Sequence, residues 1–290
     1  MAEERSWPPR ISLFQVVIAI VVVSAILIGY FVATLPRAPS GPLDTAQLGD
    51  VVQVDYVGYF EDGRVFDTSI AAVAEDDAGY PKALSFTLRD TYRPLEFLIG
   101  GTETPVIEGF EEGIIGMREG EVKLIEVPPE KGYGLSDPSQ IEVRPILVEL
   151  TVFETLTVDD FEQRFEAGPV QGMIVRHPLW GWNVTVMTLQ PDFVTIMHLP
   201  EQGMIVKPYG TWEAKVVEVD SSANEGAGRI AVRHLLDRGH IDNVQGEDDG
   251  GTFRVVDVDL VNGTYTVDYN REVVGRTLIF QVELLKLTRF

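Results

Sequence analysis

The chain contains no cysteine in 290 residues, which excludes disulfides, thiol nucleophiles and cysteine-ligated metals. Lysine is also scarce, six against seventeen arginines, and 23 basic residues against 45 acidic ones leave a formal net charge of −22. Such a surface repels nucleic-acid phosphates and anionic headgroups, so no nucleic-acid partner is expected. A densely acidic, lysine-poor surface suits high salt; loss of folding cooperativity on lowering KCl is expected, and full stability in dilute buffer would count against that habitat. The four histidines, His177, His198, His234 and His240, lack the H-E-x-x-H spacing of a zinc site. Asp248-Asp249 and Asp257/Asp259 lack the D-x-D-x-D-G order of a calcium loop. With no G-x-S-x-G and no phosphate-cradling glycine loop, neither a metal nor a cofactor is expected.

The amino end behaves differently. After a tail at 1–10, Ile11 to Leu35 carries no charge over 25 residues and only Ser12, Gln15, Ser24 and Thr34 as polar breaks. A bilayer core takes about 20 such residues, whereas a secretory signal core is shorter, so 11–35 reads as an uncleaved transmembrane helix. Arg5 and Arg10 precede it and Arg37 follows; this weak bias puts the N-terminus inside and the bulk of the chain outside the cytoplasm. The proline-rich stretch 36–48 is a semi-rigid tether.

Beyond it the patterns are those of a mixed domain. Val52, Val54 and Tyr56 alternate with polar residues as a half-buried strand, Glu61-Asp62-Gly63 is a hairpin turn, and Leu95, Phe97 and Ile99 resume the alternation after an irregular stretch at 70–93. Ile107, Phe110, Ile114 and Met117 form the stripe of one amphipathic helix, which Gly120 ends. Gly109, Gly113 and Gly116 share one face of it; each costs about 1 kcal/mol against alanine, which close approach to a sheet would compensate. Val122 to Val127 alternates as a strand and Pro128-Pro129 stops it. By pattern alone this is either the core of an α+β domain or the frame of a site.

Three pieces decide the comparison: Y-V-G-Y-F-E-D-G-R-V-F-D-T-S over 56–69, V-I-E-G-F-E-E-G over 106–113, and F-Q-V-E-L-L over 280–285. In this order they resemble the FKBP family of peptidyl-prolyl isomerases, over 49–140 and 276–290. The resemblance implies an antiparallel sheet wrapped on one short helix. It also implies a pocket of Tyr56, Phe66, Asp67, Leu95, Phe97, Val106, Ile107, Phe110, Tyr133 and Phe280, acting on proline-containing polypeptides. Tyr133 would donate its hydroxyl to a substrate carbonyl, Asp67 would form a polar wall and Phe110 the floor. The family often has tryptophan at the floor and an aromatic at the Leu95 position. Both departures widen the pocket, which disfavours tight macrolide binding more than turnover.

Between Gly134 and Leu278 lies most of a second domain, 141–275, whose exit and return resemble those of the insert-in-flap domain of SlyD-like and long archaeal FKBPs, although it is considerably longer. It reads as mainly β. Two hairpins, 184–198 and 253–269, each followed by a glycine and another apolar strand, suggest a weak internal duplication, and Phe161 to Phe165 is a short capped helix. In the SlyD-like relatives this domain binds unfolded chains. Trp180 and Trp182, with Met173, Met187, Met197 and Met204, either line such a substrate-binding face or fill the insert's own core. The main expectation is a membrane-anchored prolyl isomerase with a substrate-capturing insert. The alternatives are a non-catalytic holdase on the same scaffold and an insert that docks one dedicated partner. Asn183-Val184-Thr185 and Asn262-Gly263-Thr264 are glycosylation sequons that matter only if the domain is external, Asn262 being the better placed.

Overall fold

The computed structural model describes residues 44–102 and 106–289. The expected anchor at 11–35 lies outside the described residues, as does the tether up to residue 43. Among the described residues no helix is long and apolar enough to cross a membrane. The chain divides into two compact units: one runs up to Leu135 and resumes at Glu272, and the other is Ser136–Arg271.

In the first unit, β1 (Val51–Phe60) pairs antiparallel with the last strand of the chain, β17 (Leu278–Thr288), from Val51↔Thr288 to Phe60↔Leu278. β2 (Val65–Thr68) and β3 (Leu95–Leu98) share the other edge of β1, and β4 (Val122–Val127) lies beyond β17. Alternation turns Val52, Val54 and Tyr56 of β1, with Leu278, Phe280, Val282 and Leu284 of β17, into one core. The segment between β2 and β3 begins with a short helix, α1 (Ala71–Glu75), which the pattern at 70–93 does not reveal. Tyr80 and Phe86 farther along it pack on Val57, Val65 and Val73.

The helix α2 (Glu108–Ile114) is shorter than its apolar stripe suggests. It stops because Gly116 takes φ +88°, a left-handed conformation cheap only for glycine, so this residue and not Gly120 ends the helix. Met117 still reaches the core, at 1% exposure, from the turn that follows. A β-carbon on Gly109 would lie 2.6 Å from Val127 Cγ1, and one on Gly113 would lie 2.3 Å from Ile125 Cγ2. The helix backbone therefore sits directly on β4, which offsets the poor helix propensity of both glycines. Gly113→Ala should lower stability by about 1–2 kcal/mol, since overpacking outweighs the gain in propensity; a denaturant midpoint that rises instead would refute the close packing.

The second unit is three similar sheets threaded by one arm. Its helix α3 (Val158–Phe165) is capped by Thr157, whose Oγ1 accepts from Asp160 N at 3.0 Å. Three antiparallel hairpins follow: β9 (Asn183–Leu189) with β10 (Phe193–His198), β12 (Ala214–Asp220) with β13 (Arg229–His234), and β15 (Gly251–Asp259) with β16 (Thr264–Asp268). Each is flanked by a short strand that precedes it, β8 (Ile174–Arg176), β11 (Ile205–Val206) and β14 (Gln245–Asp248) respectively. The far edge of each sheet is filled from the single extended stretch 141–157. Its strands β5 (Ile141–Pro145), β6 (Leu147–Leu150) and β7 (Phe153–Thr157) pair with β16, β13 and β10, visiting the hairpins in reverse order.

The first two sheets repeat in detail. Gly172-Met173-Ile174-Val175 and Gly203-Met204-Ile205-Val206 open them, each glycine at positive φ. In both, a buried indole donates to a buried imidazole: Trp182 Nε1 to His198 Nδ1 at 3.1 Å, and Trp212 Nε1 to His234 Nδ1 at 3.0 Å. The third sheet has Phe253 near the indole position and closes the open end of its hairpin with a buried Arg254–Asp268 ion pair. The repeat is thus threefold, with a middle member beyond the two hairpins legible as a duplication.

Candidate active site

The pocket residues expected from sequence come from six stretches of the first unit, and the fold brings most of them together. Phe110 is the hub. Its ring stands 4.9 Å from Phe280 at 70°, 5.8 Å from Tyr56 at 76° and 6.2 Å from Phe97. Phe66 meets Phe280 edge-on at 5.5 Å and stacks on Phe60 at 5.0 Å. All are at most 8% exposed, and half-buried Leu95, Val106 and Ile107 pack against the same cluster. Edge-to-face contacts of this kind hold rings in place beyond their area burial. Tyr133 differs: it sits 40% exposed in the loop after β4.

One carboxylate organises the polar side. Asp67 Oδ2 accepts from the Tyr56 hydroxyl at 2.8 Å, and its Oδ1 accepts from Thr68 N at 2.8 Å and from Arg89 Nη2 at 2.5 Å. Burial raises the Tyr56 phenol well above its ordinary value, and the neighbouring Asp67 charge and hydrogen bond add to the effect. Tyr56 therefore remains a neutral donor at any physiological pH.

Sequence reading missed Arg89, which lies in the irregular stretch before β3. Its Nη1 also donates to Thr68 O at 3.3 Å. The stretch is held by Glu272, 5% exposed, whose Oε2 accepts from Ser85 N at 2.7 Å while Oε1 pairs with Arg64 at 3.3 Å. No local pattern marks either residue, because their partners lie 22 and 187 positions away in the chain. The available signal was a buried-pair requirement: an acid in a return segment beside an apolar strand needs a cation or an N–H partner.

Trp180 and Trp182, expected on a substrate-binding face, are core residues of the second unit. They are 6% and 1% exposed and stack on one another at 5.3 Å with planes 2° apart. The reason is alternation: Trp182 lies two residues before Val184, on the inward side of the first sheet, and its N–H is used by His198. Met173, Met197 and Met204 pack half-buried against the same core. Met187 alone of the four is exposed, and its neighbours in exposure are Val170, Ile174, Leu189 and Phe193. An open groove lined by Val158, Glu162, Gly168, Pro169, Leu189, Gln190 and Pro191 lies at the hairpin end of this sheet.

Residues 44–148 match the family model described as FKBP-type peptidyl-prolyl cis-trans isomerase. The chain is 41% identical over 148 residues to the short-type peptidyl-prolyl cis-trans isomerase of Methanocaldococcus jannaschii, covering 51% of this chain and 79% of that protein. It is 28% identical over 129 residues to FK506-binding protein 2 of Yarrowia lipolytica, covering 44% and 74%. To the mouse (Mus musculus) peptidyl-prolyl cis-trans isomerase FKBP2 it is 33% identical over 86 residues, covering 30% and 46%.

Proposed function

The chain belongs to the FKBP-type peptidyl-prolyl cis-trans isomerase family, and from that membership we propose that X-Pro bonds turn in the aromatic basket centred on Phe110, while the second unit holds unfolded chains beside a membrane. The observation that carries the catalytic part is the joining of five rings, Tyr56, Phe66, Phe97, Phe110 and Phe280, with the Asp67 carboxylate fixed at their edge. The peptide bond resists rotation by ~18–20 kcal/mol because of amide resonance. Twisting removes that resonance and its charge separation, so an apolar wall that takes water away from the imide favours the twisted form without any nucleophile. Asp67, committed to Tyr56 and Arg89, shapes the wall; the half-exposed Tyr133 is the donor to a substrate carbonyl.

The test is cis/trans exchange on a short X-Pro peptide by the chain from Asp44 onward, with Tyr133→Phe as a control. Acceleration that falls in the variant supports the assignment, and no acceleration at low or high KCl would leave the basket a mere core.

For the second unit, the capture surface we assign is the exposed set Ile174, Met187, Leu189 and Phe193 with the groove beside them, in place of the two buried tryptophans. Like the inserted domain of SlyD-like relatives, it would raise the local concentration of unfolded substrate. Ile174→Asp with Phe193→Asp should leave short-peptide exchange unchanged and slow refolding catalysis of a proline-limited protein several-fold; equal rates on both substrates would remove the capture role. The uncharged run at 11–35 and Arg5 and Arg10 before it support a single-pass anchor with both units outside the cytoplasm.

A further inference from the structure

We propose that Asn262 carries an N-linked glycan and that the second sequon, at Asn183, does not. The proposal rests on the outward topology given above. Asn262 lies in the turn between β15 and β16, beside Leu260 at 62% and Val261 at 95% exposure. The turn is preformed: the Asp259 carboxylate accepts from Val261 N at 2.9 Å, from Asn262 N at 3.0 Å and from Asn262 Nδ2 at 2.6 Å. The asparagine thus stands at the tip of a hairpin, outside both strands, and only Thr264, the first residue of β16 opposite Asp259 and Pro145, enters the sheet at its very end. Leu260 and Val261 beside it are the kind of exposed apolar tip that a bulky, solvated glycan covers.

The other sequon has the same letters and the opposite setting. Asn183 opens β9, an interior strand of its sheet with β8 on one side and β10 on the other. Its carbonyl accepts from Leu199 N at 2.9 Å, Val184 is fully buried, and the Thr185 hydroxyl donates to Met173 O at 3.3 Å. Presenting this tripeptide to an enzyme means opening the sheet.

Transfer forms a bond from Asn262 Nδ2 to the anomeric carbon of a glycan held on a phosphate or pyrophosphate donor. The donor's anomeric C–O bond breaks, the phosphate leaves with the electron pair, and the amide releases one proton. The test uses the full chain purified from its own membranes, with glycopeptide mass spectrometry at both sequons. A glycan at 262 alone is expected, and Thr264→Val should abolish it with the loss of the whole glycan mass while keeping the Asp259 turn. In parallel, Ser221→Cys gives the cysteine-free chain one thiol on an exposed turn, and an impermeant maleimide applied to intact cells reports its side. A labelled thiol with a bare Asn262 overturns the glycan and spares the topology. A protected thiol overturns both, and a glycan at Asn183 overturns the selection.

Discussion

Asp67→Ala should lower kcat/KM on a short X-Pro peptide by roughly 10- to 100-fold, the equivalent of the about 1.5–3 kcal/mol of a hydrogen bond to a charged group. Three donors converge on this carboxylate, and its removal strands the Tyr56 hydroxyl, in a residue 8% exposed, and leaves the Arg89 guanidinium its bond to Thr68 O. The ring of Tyr56 then loses the contact that fixes it against Phe110 and Phe280. Arg89 is a positioning residue in this scheme, acting through Asp67. Because its side chain is 46% exposed, Arg89→Ala should cost less, about two- to fivefold, mainly in kcat, and Arg89→Lys should recover part of it. Thermal unfolding of each variant separates loss of the site from loss of the fold. An Asp67→Ala enzyme that folds and turns over normally would show that the wall is apolar only.

Acidification should unfold the second unit in the interval between pH 6.5 and 4. His234 and His177 are 3% and 8% exposed, and burial lowers both to about 4 from 6.5. The Arg144 charge adds to the effect at His234. At His177 the neighbouring His198 and the Arg164 charge lower it further, and Glu154 opposes them. Geometry agrees: His234 Nδ1 accepts from Trp212, and His177 Nδ1 accepts from Leu179 N and Trp180 N at 3.2 and 3.3 Å, so each ring must stay neutral at that nitrogen. The unfolded chain binds protons near pH 6.5 and the folded one near 4. Stability is therefore intact above 6.5 and falls as pH drops to 4, with a ceiling of about 3 kcal/mol for His234. Glu154 acts lower down. Its hydrogen bond to His198 holds it at about 2 against the resisting effect of burial, and Arg164 helps; its contribution is present above 4.5 and disappears between 4.5 and 2. Uptake of close to two protons per unfolding event near pH 5 is the expected reading, and His234→Gln, which keeps an acceptor for Trp212, should remove about one of them. A midpoint independent of pH over this range would mean that the imidazoles are reached by water.

How much of this was legible beforehand depends on the range of the interactions. The strands at 51–60, 122–127 and 278–288 announce themselves because alternation is a property of neighbours along the chain. The same holds for the short capped helix expected at 161–165, which begins three residues earlier, at Val158. The glycines of α2 already pointed to a sheet at close range, though not to which of them would end the helix: an open turn and a covered face look alike until the neighbour is placed. The family pocket was readable only because several motifs recur together, and the rings of Tyr56, Phe66, Phe97, Phe110 and Phe280 do meet.

The sequence by itself determined the local elements, the acidic surface, the absence of thiol chemistry and, through its motifs, the isomerase family. Tertiary structure decided what depends on distant partners. It set Arg89 on Asp67, and Glu272 on Ser85 and Arg64. It turned Trp180 and Trp182 inward, and it threaded the arm at 141–157 through three sheets in reverse order. Periodicity reports which face of an element is apolar, but the same stripe serves a core or a binding face. Only the packing of the remaining elements leaves one stripe covered and another open to a ligand.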